Sequence, residues 1–252
     1  MQIRSFILTS ALLISGNLIA SVTEEETFSF KIDDGGRFSV SNVNGSITVT
    51  GGSGDSVDIR AIKKADNQEG LHKIEIVISE SVSEITVETE LGDDESGGWW
   101  SHGSNSGQVT YKISVPSGIT LDSVETVNGN VEISGVSGKG VAESVNGDLE
   151  ISNLAGDVRL ATVNGGIEAA FDKLEGNQSV KAETVNGRVT LVLPDDADCE
   201  LSADTLNGGI NAKDFGLEAD KGFVGSDLNG KIGSGSARVN IDTVNGGIKI
   251  KK

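Results

Sequence analysis

The tripeptide Val-Asn-Gly, or its Leu-Asn-Gly variant, begins at Val43, Val127, Val145, Val163, Val185, Leu206, Leu228 and Val244. From the second copy onward it returns at steps of 18, 18, 22, 21, 22 and 16 residues. Seven consecutive copies at so narrow a spacing define a repeat architecture, in which one unit buries its apolar face only against its neighbours. Within each copy the side chains alternate. Before the triplet, Val158 and Leu160, Leu201 and Ala203, or Val239 and Ile241 are separated by polar residues such as Ser202, Asp204, Asn240 and Asp242. After it, Ile167 and Ala169, Val189 and Leu191, or Ile248 and Ile250 keep the same period of two. That period is the mark of a half-buried strand. Each copy therefore predicts two strands, a corner and a short return.

Two architectures satisfy this pattern. In a β-solenoid each copy is one coil, and equivalent residues stack about 4.8 Å apart along the axis. In an antiparallel β-hairpin meander, Asn-Gly is a two-residue type I′ turn. The solenoid, with about seven coils of 16–22 residues, is favoured because the corner threonine recurs with the triplet, as Thr126, Thr162, Thr184, Thr205 and Thr243. A meander has no need of such stacking. At the corner, glycine is expected to supply a positive φ and asparagine to tolerate the left-handed region beside it. Asn128, Asn146, Asn164, Asn186, Asn207, Asn229 and Asn245 are then expected to form a ladder, with the apolar residue of each triplet turned inward. The closing Lys251 and Lys252 are expected on the last exposed rung, where charge blunts a sheet edge.

The first copy, in "RFSVSNVNGSITV", is separated from the second by 84 residues. The interval holds four more alternating segments, "SVDIRAIKKA", "HKIEIVIS", "SEITVETEL" and "QVTYKISVP". Residues 21–118 thus read as a β-rich module that contains the first repeat and caps the 119–252 solenoid. Between the last two segments lies "GDDESGGWWSHGSNSG", which carries both tryptophans of the chain. Trp99, Trp100 and His102 in this Gly/Ser/acid loop are the ligand-binding candidates, suited to a glycan or protein contact. The opposite reading folds the rings back on the sheet as a lid.

Glycine occurs 34 times, proline twice, and aromatics make up 4% of the chain, a balance that suits short strands and tight turns. A net charge of −18 argues against nucleic acid and against an anionic membrane surface as partners. It is read as a solvated surface ahead of a calcium-loaded one. Residues 1–20 place Arg4 before an apolar run from Phe6 to about Ser15 and end on small Ala20, the pattern of a signal peptide, so the chain is expected to be exported. The alternative for this segment is an uncleaved N-terminal anchor; after removal of the signal peptide no membrane-spanning segment is expected. The single Cys199 is a small strand residue with no disulfide partner.

Chemistry is sparse. Two histidines and one cysteine leave no material for a histidine-rich zinc site or a thiol catalyst, and no phosphate-cradling loop is present. "GGSGDSVDI" places Asp55 one position early for a calcium-binding nonapeptide and reads as a turn. Asp195 and Asp196, after Pro194, are the one carboxylate pair weighed for glycoside chemistry, and they read as a charged turn. No catalytic residue, metal or cofactor is expected.

"FSFKIDDGGRFSVSNVNGSITV", "YKISVPSGITLDSVETVNGNVEISGVSG", "AETVNG" and "VTLVLPDDAD" together resemble a bacterial β-strand-repeat family named for adhesins and of unknown function. The resemblance spans nearly all of the chain beyond residue 20. It implies a β-solenoid-like protein exported to the cell envelope, in some relatives linked to envelope stress. The expected function is a non-enzymatic, adhesin-like binding or scaffold module for an envelope glycan or protein. The alternatives are a polysaccharide-active β-helix enzyme, discriminated by acids converging in one groove, and a cation-stabilised structural repeat.

Overall fold

The computed structural model describes residues 21–92, 107–174 and 176–252. Among these residues the strands form two sheets, of eleven and ten strands, joined by a continuous apolar core. The protein is all-β, and its repeats form a β-solenoid. Strands that lead into a corner lie in one sheet, here the approach sheet; strands that leave it lie in the other, the departure sheet. The Asn164 coil shows the unit. Val158–Asn164 runs to the corner and Ile167–Ala170 runs away from it. Val158, Leu160, Ile167 and Ala169 are buried between the sheets, at about 1.5–3 kcal/mol for each larger side chain.

Neighbouring coils pair in parallel and in register: Leu160 lies beside Ala142 and Ala182, Thr162 beside Ser144 and Thr184, Asn164 beside Asn146 and Asn186. This rules out the meander. A type I′ turn needs positive φ at both central residues, and the corner residues from Asn128–Gly129 onward have none; the positive-φ residues lie elsewhere, apart from Gly45.

Six corner glycines are required for a different reason from the one the sequence suggests. A Cβ built on Gly129, Gly147, Gly165, Gly187, Gly208 or Gly246 would lie 1.7–2.2 Å from the carbonyl oxygen of the stacked glycine in the next coil. No side chain fits there. Close approach of backbones, rather than a left-handed φ, selects glycine.

The coils do not stack in sequence order. Along the axis the corners run Asn44, Asn128, Asn146, Asn164, Asn186, Asn245, Asn207. The C-terminal coil, Ala237–Asn245 with Ile248–Lys251, lies between the Asn186 and Asn207 coils and pairs on both sides in both sheets. Lys251 and Lys252 are therefore not on the last rung: Ile248–Lys251 is followed by Ile210–Asn211, which pairs with its first half, Ile248 and Lys249. Lys252 instead pairs with Asp195 at 3.3 Å and stands 5.5 Å from the centre of the Phe215 ring.

The seventh triplet departs as well. Leu228, Asn229 and Gly230 lie in the middle of Ser226–Ile232, which runs antiparallel to Cys199–Asn207. An antiparallel strand cannot bring its triplet into register with parallel corners, so Asn229 leaves the expected ladder and accepts a hydrogen bond from the Ser202 hydroxyl at 2.9 Å. From Ser226–Ile232 the chain crosses the start of Cys199–Asn207 to reach Ala237. Asp198 secures the crossing: its carboxylate accepts from the Ser234 hydroxyl at 2.7 Å, the Gly235 amide at 2.6 Å and the Ser236 hydroxyl at 2.8 Å. These bonds hold the Asp198 carboxyl low, at about 2, the Ser234 bond contributing most.

At the other end, the Asn44 coil stacks directly on the Asn128 coil although 84 residues separate them. Glu84–Leu91 continues the approach sheet in parallel and Gln108–Pro116 continues the departure sheet in parallel. Ile74–Glu80 then closes one sheet, and Ser56–Ala65 and Val22–Lys31 the other, all antiparallel. Tyr111 is buried in this part of the core, its hydroxyl 2.7 Å from that of Thr89, and burial pushes its pKa to about 12.

Candidate functional site

Four files of equivalent residues run along the axis near the corners, each set by parallel register. The first is the buried corner hydroxyl: Thr126, Ser144, Thr162, Thr184, Thr243 and Thr205 donate to the carbonyl oxygen of a neighbouring corner glycine at 2.8–3.3 Å. In the first coil Asn42 takes this place and donates to the Val109 carbonyl at 2.8 Å. The second is the corner amide. Asn128, Asn146, Asn164, Asn186, Asn245 and Asn207 each donate to the Oδ1 of the asparagine before them in the stack at 2.8–2.9 Å, and Asn44 receives the bond from Asn128. Asn44, rather than Asn229, completes the row.

The third file is apolar and faces solvent. Val127, Val145, Val163, Val185, Val244 and Leu206, the first residues of the triplets, are each 39–51% exposed. The expected inward turn of this residue is reversed, because the preceding corner hydroxyl already occupies the inward position and alternation sends the next side chain out. The signal was present in the sequence: Val124 and Thr126 share a parity that Val127 lacks.

The fourth file is acidic. Glu125, Glu143, Ala161, Glu183, Asp242, Asp204 and Asp227 are successive partners in the approach sheet. Midway, Arg159 contacts Glu143 and Glu183 at 3.5 and 3.3 Å, and Lys181 contacts Glu183 at 2.8 Å. Toward the Asn207 end the next same-face partners beside the acids are Asn240 and Ser202, two positions before Asp242 and Asp204, and Asn229, two positions after Asp227 on the antiparallel strand, and they bring no positive charge. The Asp242 carboxyl is raised there, first by desolvation, then by the Asp204 and Glu183 carboxylates, with Lys181 opposing.

The apolar and acidic files line one trough of about 870 Å³ across the approach sheet, reached at the Asn207 end by Val224. Among the described residues no three acidic, histidine or cysteine side chains converge as metal ligands. Trp99, Trp100 and His102 lie outside the described residues, in the connection from Leu91 to Gln108. Asp195 is an exposed turn residue paired with Lys252. Cys199 is buried, and burial, with Asp198 second, pushes its thiol to about 11, which disfavours the thiolate.

A two-sheet parallel solenoid with an open trough beside its corner ladder is the class of protein that these features define. Residues 101–251 match the family described as Toastrack DUF4097, and the chain belongs to that family. No curated protein matches it. Among solved structures, a candidate cell adhesion protein from Clostridium sporogenes is 17% identical, with 91% of this chain and 99% of that one covered and a TM-score of 0.48. A candidate adhesin from Bacteroides fragilis is 14% identical, with 90% and 96% covered and a TM-score of 0.42. No helix among the described residues is long and apolar enough to cross a membrane.

Proposed function

We propose that the protein is an exported, non-enzymatic binding and scaffold module of the cell envelope, and that the trough is its contact face. Residues 1–20 serve as the signal peptide, residues 21–118 cap the solenoid, and an envelope glycan or protein is the partner, in a setting of envelope stress. The observation that carries this reading is the unbroken file of six half-exposed aliphatic side chains. A contiguous apolar surface of that kind is retained where something covers it. The solenoid makes the surface rigid, so little order has to be created on binding.

The test is retention of the purified chain on envelope preparations, compared with a V145S/V163S/V185S variant whose replacements lie on the outside of the fold. Retention is expected to fall about tenfold or more, corresponding to about 1.4 kcal/mol, with the melting temperature almost unchanged. Equal retention removes the trough from the reading. The Trp99–Trp100–His102 loop is a second proposed contact; W99A/W100A is expected to weaken retention with little loss of stability, and a collapse of stability supports the lid instead.

A second reading, hydrolysis of an envelope polysaccharide, is favoured by one observation, the raised Asp242 carboxyl beside Asp204. It requires reducing ends to be released from a polysaccharide and the release to disappear in D242N. The acids stand in file at coil spacing, which suits a surface better than an acid and base placed about a scissile bond.

A further inference from the structure

The trough is a sheet face, and its long axis crosses the strands. An occupant therefore finds no free backbone edge there, and contact is through side chains alone. Its period is set by the coils, with one apolar side chain about every 4.8 Å and an acid beside it at each coil but that of Ala161. An extended peptide presents same-face residues about every 6.6 Å, which falls out of step after two coils. An α-helix presents its apolar stripe about once per 5.4 Å turn, so that five steps accumulate a mismatch of only about 3 Å. From Val127 to Leu206 the apolar file spans about 24 Å, the length of a helix of about 16 residues.

The file beside it is acidic at every coil from Glu125 to Asp227 except that of Ala161, is countered midway by Arg159 and Lys181, and is least compensated at the Asn207 end, where Asp242, Asp204 and Asp227 are successive partners. From this combination we propose that the trough binds a basic amphipathic α-helix of a partner protein or peptide, laid along the solenoid axis. The helix places Leu-type residues at i, i+3, i+4 and i+7 on Val127, Val145, Val163, Val185, Val244 and Leu206. Lysine or arginine along one flank of the stripe meets the acidic file. The positive end of the helix dipole complements Asp242, Asp204 and Asp227, so the helix N-terminus points toward the Asn207 coil. The inference rests on the trough being the contact face and adds the shape, charge and direction of what fills it.

Fluorescence anisotropy with a labelled 18-residue Leu/Lys peptide of helical period tests this on the chain beginning at residue 21. Two controls accompany it: a peptide of the same composition with strictly alternating Leu and Lys, and heptalysine. The helical peptide is expected to bind at least tenfold more tightly than either control. V145S/V163S/V185S is expected to lower its affinity at least tenfold, and D204N/D227N/D242N to weaken it and flatten its dependence on salt. Single V163S and L206S variants give smaller losses in the same direction and keep the test open if the triple variant does not fold. Equal binding of the alternating peptide or heptalysine, indifference to the valine variants, or no binding overturns the proposal. Valine-dependent envelope retention without peptide binding overturns the helical partner alone and leaves the contact face standing; loss of both overturns both.

Discussion

At the scale of single residues the corner is held by contacts between backbones. Gly165 illustrates it: its carbonyl accepts the Thr184 hydroxyl at 2.9 Å and would lie 1.8 Å from a Cβ on Gly187. Gly187→Ala is therefore expected to destabilise by more than the ~1 kcal/mol of an ordinary Gly-to-Ala conflict, because the obstacle is backbone that two coils share. Thr184→Val, which keeps the shape and leaves the Gly165 carbonyl without that donor, is expected to cost about 1–3 kcal/mol by urea unfolding. Asp198 gives a pH signature. Its pKa is depressed to about 2 in the folded chain from an ordinary 3.8, so its contribution is complete above about pH 4 and disappears as pH falls through 2. Denaturant midpoints of the wild type and D198N are expected to differ at pH 6 and to converge near pH 2.

At the scale of elements, each coil is two short strands that gain stability from their neighbours on either side. The asparagine row shares this property, since Asn164 donates to Asn146 and accepts from Asn186. Asn164→Ala removes two such bonds at once and is expected to cost about 1–2 kcal/mol, whereas Asn207→Ala, at the end of the row, removes one and should cost about half as much. Equal losses at the two sites would show that the row adds nothing beyond its local corners. Asp242, in the acidic file, acts in the opposite sense. Because the Asp242 carboxyl is raised, its charged form burdens the folded chain above that pKa, so D242N is expected to raise the melting temperature at pH 7 and to lose this advantage as the pH is lowered.

At the scale of the whole molecule, the feature with the largest consequence is the position of the last coil. Residues 237–252 fill a gap between coils that precede them in sequence, and they bring Ala237, Val239, Ile241, Ile248 and Ile250 into the core. Burial of the larger of these is worth about 1.5–3 kcal/mol each, so together they rival the ~5–15 kcal/mol net stability of a typical domain. A chain ending at Ser236 is expected to associate through its two open parallel edges. A synthetic peptide of residues 237–252, added in trans, is expected to restore a single species on size exclusion. A truncated chain that remains folded and monomeric would show that the gap closes on itself.

Much of this was legible in the residues. The period of two established strands, the 16–22-residue return established coils, and the recurring corner threonine pointed to parallel stacking, because these are properties of each copy taken alone. The outward valine file was legible too, through the parity of Val124, Thr126 and Val127, but the expectation of an apolar residue turning inward concealed it. Tertiary structure alone decided the order of the coils, the departure of Asn229 from the row and the place of Ile248–Lys251 ahead of the last rung. The triplets alone, as three residues, do not distinguish one corner from another. One local difference does separate Asn229 from Asn245, the corner threonine Thr243 before Val244 against Asp227 before Leu228, but it does not say where the strand goes; the antiparallel pairing of Ser226–Ile232 is set by the stack as a whole. The trough has the same origin: its walls come from residues as far apart as Ser41 and Val244, which no local pattern brings together.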